Sequence, residues 1–242
     1  MKLVFASFLS PTLAGFYRAS VEHVGTQLGV ETDLVIGEDY EQFERGEIDA
    51  GFICGLPYVR LAGKVHPLVA PVVDEPRYGG RPVYFSDVVV RDDHPARSFA
   101  DLRGSSWCYN EPNSHSGYLT VLHHLARMGE TPSYFSRFDP VGFHTTSLKL
   151  VADGTYDASA IDSHVLTLEQ TRGLRVIGSI GPSPIQPVVA AAHLAEETRN
   201  AIAAALISMK PFADARVAKY VHVVDADYDP IRSALVICRL SV

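Results

Sequence analysis

KLVFASFLSPTLAGFYRASVEHVGTQLGVETDLVI, residues 2–36, begins with an apolar run of strand length at residues 2–8 and ends with a second one at Val30–Ile36. Between them, Thr12–Leu28 carries apolar residues at helical spacing and stops before Gly29. A helix that connects two apolar strands is typical of a parallel strand pair. The chain is therefore predicted to be an α/β protein.

The same alternation continues along the chain. Further strands are predicted at Ile48–Cys54, Val65–Val73, Val83–Arg91, Ser105–Tyr109, Tyr134–Phe138, Ala158–Ile161, Leu174–Ile180 and Val188–Ala192. Further helices are predicted at Asp39–Arg45, Phe99–Leu102, Tyr118–Met128, His144–Ala152, Asp162 to about Arg172, Glu196–Met209, Ala213–Tyr220 and Asp229–Leu240. The proline-rich residues 181–187 are expected to be irregular.

The α/β pattern restarts after Arg91, which predicts a two-lobed clamshell. Each lobe is expected to be a mixed, mostly parallel sheet flanked by helices. One lobe would contain residues 1–84 and 190–242, and the other residues 85–189. The hinge crossings would lie near 84–91 and 181–190, and a ligand would occupy the cleft between the lobes.

Composition excludes several functions. The 242 residues are 47% hydrophobic and 20% charged, and the net charge of −7 argues against a nucleic-acid partner. No apolar run has membrane-spanning length, so we expect no membrane insertion. Met1-Lys2 leads directly into the first apolar run, so we expect no signal peptide in this chain. The protein would be extracytoplasmic if a leader had been removed, and cytoplasmic otherwise.

Neither the cysteines nor the histidines have the spacing of a metal site. Cys54, Cys108 and Cys238 lie far apart, and an odd count argues against a disulfide framework. The adjacent His123 and His124 would point to different faces of a helix, and no carboxylate or cysteine completes a set with His115. We expect no metal and no cofactor.

The stretch Asn113-Ser114-His115-Ser116-Gly117-Tyr118 reads as the start of a helix. Ser114 and Ser116 are good capping residues, and Gly117 leaves the backbone N–H groups of the first turn open to a ligand. The free donors and the positive end of the helix dipole form an anion site. The alternative is that Ser116 merely caps the helix.

Several stretches, taken in order, resemble the phosphate, phosphite and phosphonate substrate-binding proteins of ABC importers, which have the type 2 periplasmic-binding-protein fold. These stretches are Gly46–Phe52 with Tyr58, Pro82–Val90, Ser114–Gly117, and His144–Ser147 with Asp157, Ala158 and Asp162 beyond. The resemblance implies a non-catalytic protein that holds an oxyanion on the Ser114–Gly117 turn, with further donors from Tyr84 and His144.

Each remaining candidate has an alternative role. His144 and the hydroxyl of Thr145 can donate to an oxyanion, but a histidine before a helix is often only a surface residue. Asp162 could contact a protonated ligand oxygen or only cap a helix, and Tyr84 could donate into the cleft or only pack. Cys54 and Gly55 end a strand on the ligand side.

We therefore expect a monomer that binds a small oxyanion for ABC-type uptake or sensing, with an ABC permease or a sensor protein as its partner. The runner-up is a cytoplasmic enzyme on the same fold, acting on a small carboxylate or phosphorylated metabolite, with Ser116, His144 and Asp162 as nucleophile, base and orienter. An effector-sensing domain is a third hypothesis.

Overall fold

The computed structural model describes residues 2–240. They form two compact units. The first contains the residues up to Val83 together with Pro184–Asp229, and the second contains Tyr84–Ser183 together with the residues from Pro230 onward.

The described residues of the first unit form six strands and three α-helices. Its strands are β1 (Lys2–Ser7), β2 (Glu31–Ile36), β3 (Ala50–Phe52), β4 (Val65–Val73), β10 (Val188–Ala191) and β11 (Val217–His222), and its helices are α1 (Ala14–Leu28), α2 (Gly55–Arg60) and α6 (Glu196–Ile207). The predicted opening β-α-β is confirmed, because β1 and β2 pair in parallel with Lys2 opposite Glu31. Gly29 ends α1 in the left-handed region at φ 66°, where a residue without Cβ is favoured.

The first sheet has the order β11-β4-β10-β3-β1-β2. Strand β1 pairs in parallel with β2 and β3, whereas the pairs β3–β10, β10–β4 and β4–β11 are antiparallel. The sheet is therefore mixed, as expected, but parallel pairs are not in the majority.

The described residues of the second unit form five strands, β5 (Val83–Arg91), β6 (Ser106–Tyr109), β7 (Arg137–Pro140), β8 (Ala158–Asp162) and β9 (Leu174–Pro184), in the order β7-β6-β8-β5-β9. Only the first residue of β5 and the last residue of β9 belong to the first unit. Its helices are α3 (Thr120–Arg127), α4 (His144–Ala152), α5 (Ser163–Leu168) and α7 (Asp229–Leu240), whose first residue belongs to the first unit. Because successive strand residues face opposite sides, Val88 joins a core with Trp107 and Val121, while Val89 joins one with Leu148.

Two residues that the sequence predicts to bind the ligand, Tyr84 and Asp162, lie at one edge of this sheet. Strands β6, β7 and β8 are parallel, so their carboxyl ends lie at the same edge, while the antiparallel β5 begins there. Tyr84 lies near the start of β5, and Asp162 is the last residue of β8. The segments after β6 and β7 lead to Ser114 and to His144.

Several local predictions were wrong, and one helix was missed. The predicted helix at Ala213–Tyr220 is a 3-10 turn at Ala213–Ala215 followed by β11, because pairing with β4 fixes that segment as a strand. Strand β9 continues to Pro184, into the proline-rich stretch; it is an edge strand, where proline is tolerated. The strand predicted at Tyr134–Phe138 begins only at Arg137, after a 3-10 turn, and the helix α2 was not predicted.

The helix predicted from Asp162 to about Arg172 is shorter in the structure, where α5 begins at Ser163 and ends at Leu168. In residues 2–240, none of the helices combines the length and the apolar character needed to cross a membrane.

Candidate functional site

The turn that begins at Ser114 is held by that serine. Ser114 has extended backbone angles, and its Oγ accepts a hydrogen bond from the Gly117 N–H at 3.0 Å. His115–Leu119 then forms a π-helical turn that continues directly into α3. Ser114 is therefore the capping residue, and it leaves Ser116 available for another role.

Gly117 is required by the close approach of Asn110. A Cβ at position 117 would overlap the side-chain oxygen Oδ1 of Asn110. That oxygen is buried and has no hydrogen-bond partner among the described residues. The absence of a side chain at Gly117 therefore lets the chain after β6 fold closely over the turn.

Ser116 contacts His144 rather than the backbone of its own helix. The Oγ of Ser116 lies 3.0 Å from the Nε2 of His144 and 3.4 Å from the Oγ of Ser114. All three side chains are buried, with Ser116 only 2% exposed. The interpretation of Ser116 as a mere cap does not hold, because its hydroxyl bonds a residue 28 positions away.

His144 is the first residue of α4, and its side chain is buried at the N-terminus of that helix. Burial lowers the pKa of His144, and the nearby Asp162 carboxylate opposes that shift. The Nδ1 of His144 has no hydrogen-bond partner among the described residues. A neutral imidazole with one ring nitrogen on Ser116 can leave the serine proton free for a ligand.

Tyr84 and His115 form a second buried pair of hydroxyl and imidazole. The phenol Oη of Tyr84 lies 2.7 Å from the Nδ1 of His115, and the two rings meet edge to face. Burial, with a smaller contribution from the charge on His123, lowers the pKa of His115 to about 3. His115 is therefore neutral near pH 7.

Asp162 caps the helix that follows it. Its Oδ1 accepts a hydrogen bond from the His164 N–H at 2.8 Å, while Ser163 Oγ accepts one from the Phe85 N–H. Asp162 is buried and lies directly opposite Ser86 in the pair β8–β5. The capping role is thus observed, and contact with a ligand stays a prediction.

The other candidates lie in different surroundings. Thr145 is the second residue of α4 and is half-buried. Cys54 and Gly55 belong to the first unit, where Cys54 immediately precedes α2. Their contact with a ligand stays a prediction. Among residues 2–240, no cluster of histidine, cysteine and carboxylate side chains fits a metal ion.

The geometry disfavours a nucleophilic triad. Ser116 and His144 are within hydrogen-bond distance, as a nucleophile and its base would be. A triad also needs a third group on the other ring nitrogen, but His144 Nδ1 has no such partner in the described part of the chain.

Two side chains of this site were not found by sequence reasoning. His115 was considered only as a metal ligand, and Asn110 was not considered at all. His115 meets a tyrosine 31 residues away, which no local spacing reveals. The only available signal was its position inside the Ser114–Gly117 motif.

Residues 3–228 match the family described as ABC transporter, phosphonate, periplasmic substrate-binding protein. The phosphate-import protein PhnD of Mycolicibacterium smegmatis is 28% identical over 173 residues, which is 64% of this chain and 53% of that protein. The match thus spans about half the length of this curated relative.

Solved structures share the fold. A binding-protein component of an ABC phosphonate transporter from Pseudomonas aeruginosa has a TM-score of 0.84 at 19% identity, covering 99% of this chain and 87% of that one. PhnD1 from Prochlorococcus marinus, solved with methylphosphonate, has a TM-score of 0.84 at 17% identity, covering 96% of both chains. The prediction of a two-sheet α/β fold of the type 2 periplasmic-binding-protein class is confirmed.

Proposed function

Because the chain belongs to the family of periplasmic substrate-binding proteins of phosphonate ABC transporters, we propose that it binds a small phosphorus oxyanion on the turn Ser114–Gly117. The family consists of transport proteins rather than enzymes. We also propose an ABC permease as the partner and an extracytoplasmic place of action.

The observation that supports this proposal most is the buried chain of hydroxyls and imidazole formed by Ser114, Ser116 and His144. It lies where α3 and α4 begin, and helix N-termini present free N–H donors and positive dipole ends. An oxyanion there would receive several preorganised hydrogen bonds, each strengthened by the ligand's charge.

The chemistry of the donors favours a phosphorus oxyanion over a carboxylate. The hydroxyls of Ser114 and Ser116 belong to one turn and that of Tyr84 belongs to β5, and a set of several hydroxyl donors suits a tetrahedral anion with three or four oxygens. Asp162 adds an acceptor, which suits a ligand that keeps a proton, such as hydrogen phosphate or a protonated phosphonate.

Titration calorimetry tests the proposal with phosphate and methylphosphonate as probes. Ser116→Ala and His144→Ala should each weaken binding by about 1.5 to 3 kcal/mol, the value for a hydrogen bond to a charged group. Ser136→Ala is the matched control, since Ser136 is an exposed serine in the same unit. Unchanged affinity in both site variants would place the oxyanion elsewhere, and no heat with either probe would refute the proposal.

Incubation separates binding from turnover. A binding protein should return each ligand unchanged, as followed by ³¹P NMR. A new phosphorus resonance that vanishes in Ser116→Ala would instead support the hydrolytic alternative.

A further inference from the structure

We propose that Phe143 is a specificity-determining residue of the oxyanion site, contacting an apolar substituent on the phosphorus atom of the ligand. The ligand class would then be an organophosphonate whose carbon substituent is uncharged, such as an aryl group. This inference rests on the proposed function and deepens it, because it concerns the part of the ligand that the oxyanion donors do not hold.

Phe143 occupies a position where folding alone favours a different residue. It is the N-cap of α4, and its carbonyl accepts a hydrogen bond from the Ser147 N–H at 3.0 Å. Serine, threonine, aspartate and asparagine are preferred at N-caps because their oxygens accept from the N–H groups of the first turn. Phenylalanine has no such oxygen, and α4 has no side-chain cap. Helix stability therefore gives no reason for this side chain.

Burial gives no reason for Phe143 either. The residue is 55% exposed, so more than half of its surface gains nothing from folding. By contrast, Phe135 in the same unit is only 5% exposed, and Phe99 and Phe138 pack against the same core. Aromatic side chains are common in the lining of ligand sites, where a few polar groups orient the ligand. An exposed ring beside such polar groups therefore indicates contact with a ligand.

The peptide bond between Phe143 and His144 keeps the ring close to the proposed donors. Consecutive Cα atoms are about 3.8 Å apart, and the Nε2 of His144 lies 3.0 Å from the Oγ of Ser116. An N-cap residue stands at the same end of its helix as the free N–H groups of the first turn. Phe143 therefore borders the end of α4 at which an oxyanion would be held.

A phosphonate presents two different surfaces to such a site. Its oxygens accept hydrogen bonds from hydroxyl, imidazole and N–H donors, whereas an apolar substituent gains by contact with apolar surface. The exposed ring of Phe143 offers that surface one residue before His144. A cationic substituent suits this place less well, since the first turn of α4 contains no acidic side chain and the helix dipole is positive at that end.

Calorimetry with four probes separates the substituent from the oxyanion. The probes are phosphate, methylphosphonate, phenylphosphonate and 2-aminoethylphosphonate. Wild-type protein should bind phenylphosphonate about 5-fold more tightly than methylphosphonate, as expected for contact between two aromatic rings. In Phe143→Ser this preference should fall below about 2-fold, while phosphate affinity stays within about 2-fold of wild type. 2-Aminoethylphosphonate should bind no more tightly than methylphosphonate in either protein.

The variant and its control are both suited to the structure. Phe143→Ser supplies the missing cap, so thermal unfolding should show a midpoint no lower than that of the wild-type protein. Met128→Ser is the matched control, because Met128 is an apolar residue of the same unit, 40% exposed, at the C-terminal end of α3. It should leave the preference for phenylphosphonate unchanged.

Several results would overturn the inference. Wild-type protein without a preference for phenylphosphonate, or a preference that Phe143→Ser keeps, would show that the ring does not contact the substituent. Equal losses of phosphate and phenylphosphonate affinity in Phe143→Ser would show that Phe143 supports the oxyanion donors instead. A preference for 2-aminoethylphosphonate that Phe143→Ser abolishes would assign the ring to a cation. In each case phosphate or methylphosphonate still binds and the proposed function stands, whereas wild-type protein that bound neither would overturn both.

Discussion

Acidification should destabilise the second unit through His115, and the structure gives the size of the effect. Burial lowers the pKa of His115 to about 3 from an ordinary value of 6.5. Between these values the unfolded chain binds a proton that the folded chain does not. The stabilising contribution is therefore present above about pH 6.5 and is lost as the pH falls toward 3. Lowering the pH from 7 to 5 should remove about 2 kcal/mol at this residue, at about 1.4 kcal/mol per pH unit.

Urea unfolding at the two pH values measures this contribution. The single tryptophan, Trp107, is buried in the second unit, so its fluorescence reports the unfolding of the unit that contains His115. His115→Asn removes the titrating group, and His222→Asn controls for the loss of an exposed imidazole in the first unit. The wild-type protein should lose about 2 kcal/mol more than His115→Asn between pH 7 and pH 5. Losses that agree within about 0.5 kcal/mol would refute the reasoning, because the imidazole would then titrate alike in both states.

Three further outcomes are expected. Gly117→Ala should weaken phosphate binding, as measured by calorimetry, because the added Cβ overlaps Asn110. Combining it with Asn110→Ala should restore part of the affinity; no restoration would show that the turn itself is damaged. Asp162→Asn keeps an oxygen for the helix cap and should narrow the preference for phosphate over sulfate more than it lowers phosphate affinity. Paired titrations test this, and wild-type protein that binds sulfate as tightly as phosphate would contradict it. Tyr220→Phe loses a buried hydroxyl contact with Ser20 at 3.0 Å. Because Ser20 retains its bond to a backbone carbonyl, the free energy of unfolding measured in urea should fall by only about 1 kcal/mol. An unchanged value would mean that the hydroxyl pair is energetically neutral.

The regular part of the fold was predictable because burial imposes a period on the sequence. The helix at Ala14–Leu28 and the strands on either side of it follow from apolar spacing and from Gly29. The strand Val217–His222 was not predictable in this way, since the alanine-rich residues just before it and at its start resemble a helix. Only pairing with a strand far away in the sequence makes that segment extended.

In the candidate site, too, local contacts were predictable and contacts between distant elements were not. The turn at Ser114 could be predicted, because a capping serine acts on a residue three positions later. The bond from Ser116 to His144 and the bond from His115 to Tyr84 join different elements. Which of two serines caps and which faces a distant imidazole depends on how strands and helices assemble, and a local pattern does not contain that information.

The groups named at this site are hydroxyls, neutral imidazoles and backbone N–H groups, so an anion there would be held by oriented dipoles. Dipoles fixed by buried hydrogen bonds cost little reorganisation when the ligand arrives. Such donors reward any oxyanion of suitable shape, so they do not by themselves distinguish phosphate from sulfate. A buried acceptor is what distinguishes them, because it gains a hydrogen bond only from a ligand that still carries a proton. Asp162, the last residue of β8 and near enough to His144 to oppose the lowering of its pKa, is the acceptor on which selectivity should depend.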